Sequence, residues 1–435
     1  MRTLVHILSY EWKNLWRSNT LKVLMVVVFG AGVYGIFFGK FEIDKQRNRI
    51  AQVEEYERQK FDSLLVWAKL DTTIAANKEK YEQAVSPTGV GWAVHFAYAV
   101  PNNPAPTSGL CLGQRDLYPS YYRITMTDLA RQMNVGELAN PMKLMTGNFD
   151  LSYVMVFLLP LLVVALFYDL YAREKEEGTL ALLKSQSVSV AKLFICKGIL
   201  RLLIVWGIAA VLLLLGFLIQ DISLSDQFGL FVQWTSVSFG YTLIWVILMG
   251  LIVYLRFGSA LTAILGLGVW LLFTLIVPAL LNLFVLANEP LPNRADLVHE
   301  VRELNDLIWE EPRSFVFDKF YPENPQYDAD DTTTFDKWYY AGFRLVDQEA
   351  NVMKKGIEEQ VSRRNELLSK WEWLAPAAMV HERLSQLSET DRNSHLAFVE
   401  EVYAYHADLR KLYYDRIFSN EQFSIDDLEL LSSSL

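Results

Sequence analysis

Five stretches of this chain, Leu21 to Gly39, Leu151 to Tyr168, Leu202 to Ile219, Leu230 to Leu255 and Ser259 to Leu286, are almost wholly apolar. Each is close to the ~20 residues that a helix needs to cross about 30 Å of hydrocarbon. At about −0.3 to −0.6 kcal/mol per apolar residue, each run outweighs one or two polar intruders. Lipid offers no partner for backbone N–H and C=O groups, so such runs fold as helices. The expected fold class is an all-α polytopic membrane protein with about five transmembrane helices and two mainly helical external regions. Lys22, at an entrance, is the one charge inside the runs, so none of them reads as a proton relay or ion pathway.

The first run follows about twenty polar and aromatic residues and reads as a signal anchor, not a cleaved signal peptide. Orientation follows the Lys and Arg of short segments. Arg2, Lys13 and Arg17 precede the first run; Arg173, Lys175, Lys184, Lys192, Lys197 and Arg201 follow the second; Arg256 lies between the fourth and fifth. Residues 220–229, between the third and fourth, have Asp221 and Asp226 and no base. The expectation is an N-terminus inside, residues 40–150 outside, 169–201 inside, and 287–435 outside. Cys111 and Cys196 then fall on opposite sides and cannot pair within one chain. The formal charge of −10 lies mainly in the external regions and argues against nucleic acid as a partner.

In residues 1–20, Leu4, Leu8, Trp12, Leu15 and Trp16 recur at helical spacing, with Glu11, Lys13, Asn14 and Arg17 elsewhere on the wheel. An amphipathic helix in the inner headgroup layer, anchored by its tryptophans, fits this pattern; so does an ordinary amphipathic helix packed on protein. From Phe41 the chain is polar and free of breakers, predicting one or two helices to about Gln83, followed by proline- and aromatic-rich loops and short strands. The second external region predicts helices broken at residues 322–334, with further helices after Pro376 and Thr390. Pro278 leaves two forms open for the last span: a kink with a short terminal helix turned back, or a straight tilted helix.

Motifs of catalysis are missing from the sequence. It has no G-x-x-x-x-G-K-[ST], and Gly39-Lys40 ends an apolar run. His299-Glu300 and His381-Glu382 each lack the second His of a zinc helix. No G-x-S-x-G occurs, and Gly89-Val90-Gly91-Trp92 lacks the third glycine of a dinucleotide site. An enzyme is not expected, nor a directly bound metal or cofactor.

One stretch remains, YDLYAREKEEGTLALLKSQ from Tyr168 to Gln186. A charge at the centre of a spanning helix costs about 2.5–3.5 kcal/mol, so the second helix must run on out of the membrane, with Arg173 reaching Glu177 at i+4. Gly178 then stops it. Thr179 is placed to cap a short helix whose Leu180, Leu182 and Leu183 give it an apolar side, and Ser189 to cap the next. The product is a short amphipathic helix held between two spanning helices.

This segment, extended to Arg201, resembles the one after the second span in permease subunits of the ABC-2 superfamily of ABC transporters, where E-x-E-x-G-T-L-x-L-L-x-S-Q-P-hydrophobic-S forms a coupling helix. Glu174, Glu176, Gly178, Thr179, Leu180, Leu182, Leu183, Ser185, Gln186 and Ser189 fall on the pattern, Glu177 matches in charge at its variable position before the glycine, and Ser187 stands where the family usually has Pro. Gly113 to Ile124, Glu137 to Leu170 and Trp371 to Val402 are similar to shared blocks of a subfamily with large external insertions and a C-terminal domain of unknown function. The resemblance implies a subunit of the bacterial cytoplasmic membrane that works with a separate ABC ATPase, which holds ATP and Mg, with a second identical or homologous permease and with membrane lipids. The implied activity is export or other transport; the alternative is an envelope sensor or mechanotransmission protein driven by the same ATPase. The family usually has six spans, whereas residues 288–435 contain no apolar run near eighteen residues: either the chain is a shortened form or it does without that helix.

Overall fold

The computed structural model describes residues 2–91, 96–134, 148–185, 189–290, 294–328 and 334–433. Among them, five helices are long and apolar enough to cross a membrane: Asn19–Trp67, Leu151–Glu176, Val190–Ile219, Phe228–Tyr254 and Ser259–Asn288. The described strands form one antiparallel ribbon, Tyr98–Pro101 with Tyr121–Ile124. The protein is all-α in character, with the helices of a multi-pass membrane protein.

The spanning helices outrun their apolar stretches wherever nothing breaks them. The first passes Gly39-Lys40 without interruption and continues as a polar helix to Trp67. No proline falls in it, and its polar half carries the i,i+3 pairs Glu42–Lys45 and Asp44–Arg47, a spacing worth about 0.2–0.5 kcal/mol per pair. A separate helix, Ala75–Val85, follows. At the start, Ser18 separates the spanning helix from the N-terminal helix Arg2–Arg17, its hydroxyl accepting the Leu21 N–H at 3.4 Å.

Two spanning helices contain a proline, and each carries a π-turn just before it: Val154–Leu158 ahead of Pro160 and Leu272–Ile276 ahead of Pro278. Proline has no N–H to offer the preceding turn, and in lipid the freed carbonyls need donors from neighbouring helices. Tyr241 donates to the Val156 carbonyl at 2.9 Å and Trp270 Nε1 to the Phe157 carbonyl at 3.1 Å. The last spanning helix runs through Pro278 to Asn288, so the terminal segment does not fold back.

The bundle has two unlike ends. At the loop end, the N-terminal helix packs on the third spanning helix, and residues 173–177 meet the turn at 256–259. The domain end holds both large polar regions, which share a single core: Phe61, Leu64, Tyr98 and Ile124 pack with Phe320, Tyr340, Val402 and Tyr413. Tyr98 and Tyr413 join their hydroxyls at 2.8 Å across the two regions.

Residues 105–115 join this domain to the bundle. Asp150, buried at the start of the second spanning helix, accepts from Leu112 N at 2.7 Å, Ser152 Oγ at 2.6 Å and Tyr153 N at 2.9 Å. Thr107 and Ser108 donate to the carbonyls of Leu387 and Ser388, both at 2.9 Å. These carbonyls end the helix Pro376–Leu387, whose Ala377, Val380, Leu384 and Leu387 belong to the same core as the spanning helices. The polar domain is thus wedged into the bundle and does not merely rest on it.

On the first spanning helix, Gly39 lies so close to this loop that a Cβ there would be 1.8 Å from the Gly109 carbonyl oxygen, whereas one at Gly30 meets nothing within 4 Å. Alanine favours helix by about 1 kcal/mol over glycine, but overpacking costs about 1–3 kcal/mol. Gly39→Ala is therefore expected to lower the melting temperature in nanodiscs, while Gly30→Ala leaves it equal or higher. Equal melting of the two variants would contradict this packing.

Candidate functional site

The loop end gathers charges that the sequence scatters over nearly two hundred residues. Lys197 and Arg201 follow one another by a helical turn on the third spanning helix, in line with the buried Leu193 and Val205. Lys197 Nζ lies 3.1 Å from Glu11 Oε2 and 2.6 Å from Glu174 Oε1. Arg201 reaches Glu11 through Nε at 2.9 Å and Nη2 at 2.5 Å, and Asp169 Oδ1 at 2.6 Å. Its Nη1 also donates to the Leu166 carbonyl. Glu11, Lys197, Arg201 and Glu174 are all buried, and Asp169 is half-buried. This lattice ties together the N-terminal helix, the end of the second spanning helix at Asp169 and Glu174, and the third spanning helix.

Burial alone would raise the Glu11 carboxyl, but the Arg201 guanidinium and the Lys197 ammonium outweigh it, and its pKa lies below the ordinary 4.5. Removing one member of a buried charge pair leaves the other uncompensated, a loss of about 3–5 kcal/mol.

The exposed part of the site is built on this base. The short helix Ala172–Glu176 ends at Gly178, whose φ is +76°. A Cβ at Gly178 would meet nothing within 4 Å, so glycine is required there by the left-handed torsion alone. That turn folds the chain back so that the Thr179 hydroxyl donates to Glu174, to its carbonyl at 3.2 Å and to its carboxylate. Thr179 is itself the first residue of the following helix, Thr179–Ser185, one position inside the cap that the sequence predicts. Ser189 stands at the N-cap of the next helix but makes no side-chain cap bond; its carbonyl accepts from Leu193 N.

Glu176 has a different task. The fifth spanning helix begins after Gly258, which has no side chain to cap it. Glu176 does so from across the turn, accepting from Ser259 N at 2.7 Å and Ser259 Oγ at 3.0 Å. An acidic group is favourable at a helix N-terminus. Beside it, Lys175 donates to the Arg256 carbonyl at 3.2 Å. Glu177 is exposed and pairs with Arg173 at 2.9 Å, the i+4 contact predicted.

The sequence-predicted residues thus divide. Glu174 is buried in the lattice, Glu176 is spent on the fifth helix, and Glu177 and Gly178 face outward, as does Ala181, which the pattern leaves open. Leu180 and Leu183 are half-buried. The side chains of Leu182 and Ser185, and Gln186 and Ser187 entirely, lie outside the described residues. In the N-terminal helix, Leu15 is buried and Leu8 half-buried, while Trp12 and Trp16 are exposed and stacked on each other at 5.6 Å; the side chain of Leu4 is outside the described set. Glu11 corrects the wheel assignment: it belongs to the buried face. Leu4, Leu8, Glu11 and Leu15 follow the i, i+4, i+7, i+11 spacing of one stripe, and a carboxylate on that stripe was the signal for a buried partner.

Against known proteins, the profile of a domain of unknown function (DUF3526) matches residues 295–433, the C-terminal polar region. No curated protein matches the chain.

Glu11→Gln is expected to lower nanodisc melting, and its loss combined with Lys197→Met is expected to fall short of the sum of the two single effects, as for residues in one network. Strict additivity would contradict the lattice. Because the folded pKa of Glu11 lies below 4.5, its stabilisation is complete above that value and fades as pH falls through the lower folded value. The acid limb of the melting profile should therefore flatten in Glu11→Gln.

Proposed function

We propose that the chain is the membrane subunit of an ABC transporter of the ABC-2 type, driven by a separate ATPase that binds ATP and Mg, and that residues 172–189 are its docking element. The N-terminus and residues 169–201 would lie on the cytoplasmic side and the polar domain outside. What carries this reading is the exposed Glu177–Gly178 corner and its short helix standing on a buried lattice. A push on the corner bears on Glu174, which is held to Thr179 and Lys197, and through Lys197 on Glu11. Glu176 passes the same push to the start of the fifth spanning helix. That helix is the least enclosed of the five, so it offers the widest free face for a second copy. The motif after the second span supports this assignment, and the profile match over residues 295–433 fits a subfamily with a C-terminal domain of unknown function.

Glu177→Lys reverses an outward charge without touching the lattice, and Gly178→Val forces a β-branched residue into left-handed torsions. Both variants are expected to assemble in the membrane but to lose the stimulation of a co-purified ATPase in nanodiscs. Equal stimulation by wild type and both variants would remove the proposal.

A second reading, that the subunit transmits force to the polar domain without moving a substrate, is favoured by the helix Pro376–Leu387 sharing the core of the spanning helices. An ATP-dependent change in hydrogen exchange over residues 376–402 of the reconstituted complex supports it; unchanged exchange there removes it.

A further inference from the structure

Three segments of the polar domain, within residues 118–133, 350–365 and 392–403, do not close on one another. Protein interiors leave few voids larger than a water molecule, yet a cleft of about 360 Å³ opens between these segments. At about 30 Å³ per water-sized group it has room for about a dozen such groups, toward the small end of ligand pockets.

Its lining has two characters. Met133, Val361, Leu396 and Val399 provide apolar wall, and His395 lies flat on Tyr118, ring centres 3.7 Å apart and planes within 5°. Against these stand two cations. Lys354 is satisfied: its Nζ lies 3.4 Å from the Glu358 carboxylate and 3.8 Å from the centre of the Tyr403 ring. Arg392, half-buried at the first position of the helix Arg392–Ser419, also lines the cleft. Among the described residues no carboxylate pairs with it. The Lys354 and Glu358 charges offset each other, so the cleft is left with the single positive charge of a guanidinium, the group that best matches a planar carboxylate through paired N–H donors.

We propose that this cleft binds a small organic acid with an apolar or aromatic body, its carboxylate on Arg392 and its body against the Met133, Val361 and Leu396 wall. The site is built from both polar regions and stands independently of any ATPase partner. An occupant would bridge the regions that the domain core joins, next to the helix that follows the wedge.

The full-length protein in nanodiscs of zwitterionic lipid, titrated with 4-phenylbutyrate against empty nanodiscs, tests this. Saturable binding is expected, with the neutral 4-phenylbutanol at least tenfold weaker. Arg392→Gln should weaken the acid at least tenfold, and Ser362→Trp, at an exposed position on the cleft, should block it, both variants melting as wild type does. Absence of saturable binding, equal binding of acid and alcohol, or unchanged affinity in both variants would overturn the assignment.

Discussion

Five charged side chains packed at the loop end set the terms for the rest of this molecule. Ions are not taken out of water without compensation, and Arg201 finds it only if the N-terminal helix brings Glu11 and the second spanning helix brings Asp169 and the Leu166 carbonyl to the same place. Lys197 demands Glu11 and Glu174 together. Apolar packing between spanning helices tolerates small slips in register, since one leucine face resembles another. A shared carboxylate does not, and the lattice therefore fixes how these elements meet.

At the opposite end the constraint is steric. Gly35 and Gly39 let the loop at 105–112 and the Asp150 backbone approach the first spanning helix, where any side chain would collide. The same loop carries the end of the helix Pro376–Leu387. Because the first helix is continuous from Asn19 to Trp67, it connects the loop end to the core of the polar domain, where Phe61 and Leu64 are buried. In the proposed role, this makes one rigid element that both ends share.

Much of this was legible in sequence wherever the physics is local. Lipid insertion depends on composition over about twenty residues, so all five spanning helices were visible, although the polar extension of the first past Gly39-Lys40 was not assigned to the same helix. Gly178 was legible because only its own torsion matters, and Arg173–Glu177 because i+4 spacing brings the two together. Thr179 opens its helix and does not precede it, and its donation back to Glu174 depends on how Gly178 turns the chain, which spacing does not show. The partners of Glu11 are 186 and 190 positions away, beyond any spacing rule, and only its place on the Leu8–Leu15 stripe betrayed it. The donors from Tyr241 and Trp270 to the carbonyls before Pro160 were illegible for the same reason: the proline announces a need, not who meets it.

In the proposed role, the corner at Glu177–Gly178 is a docking surface for an ATPase. A photo-crosslinking amino acid placed at Ala181, exposed on the helix after that corner, activated in native membranes and followed by mass spectrometry of the adduct, tests it most directly. The account predicts an adduct with a protein carrying a P-loop ATP site; adducts only with lipid, with this chain itself or with proteins lacking such a site would contradict it.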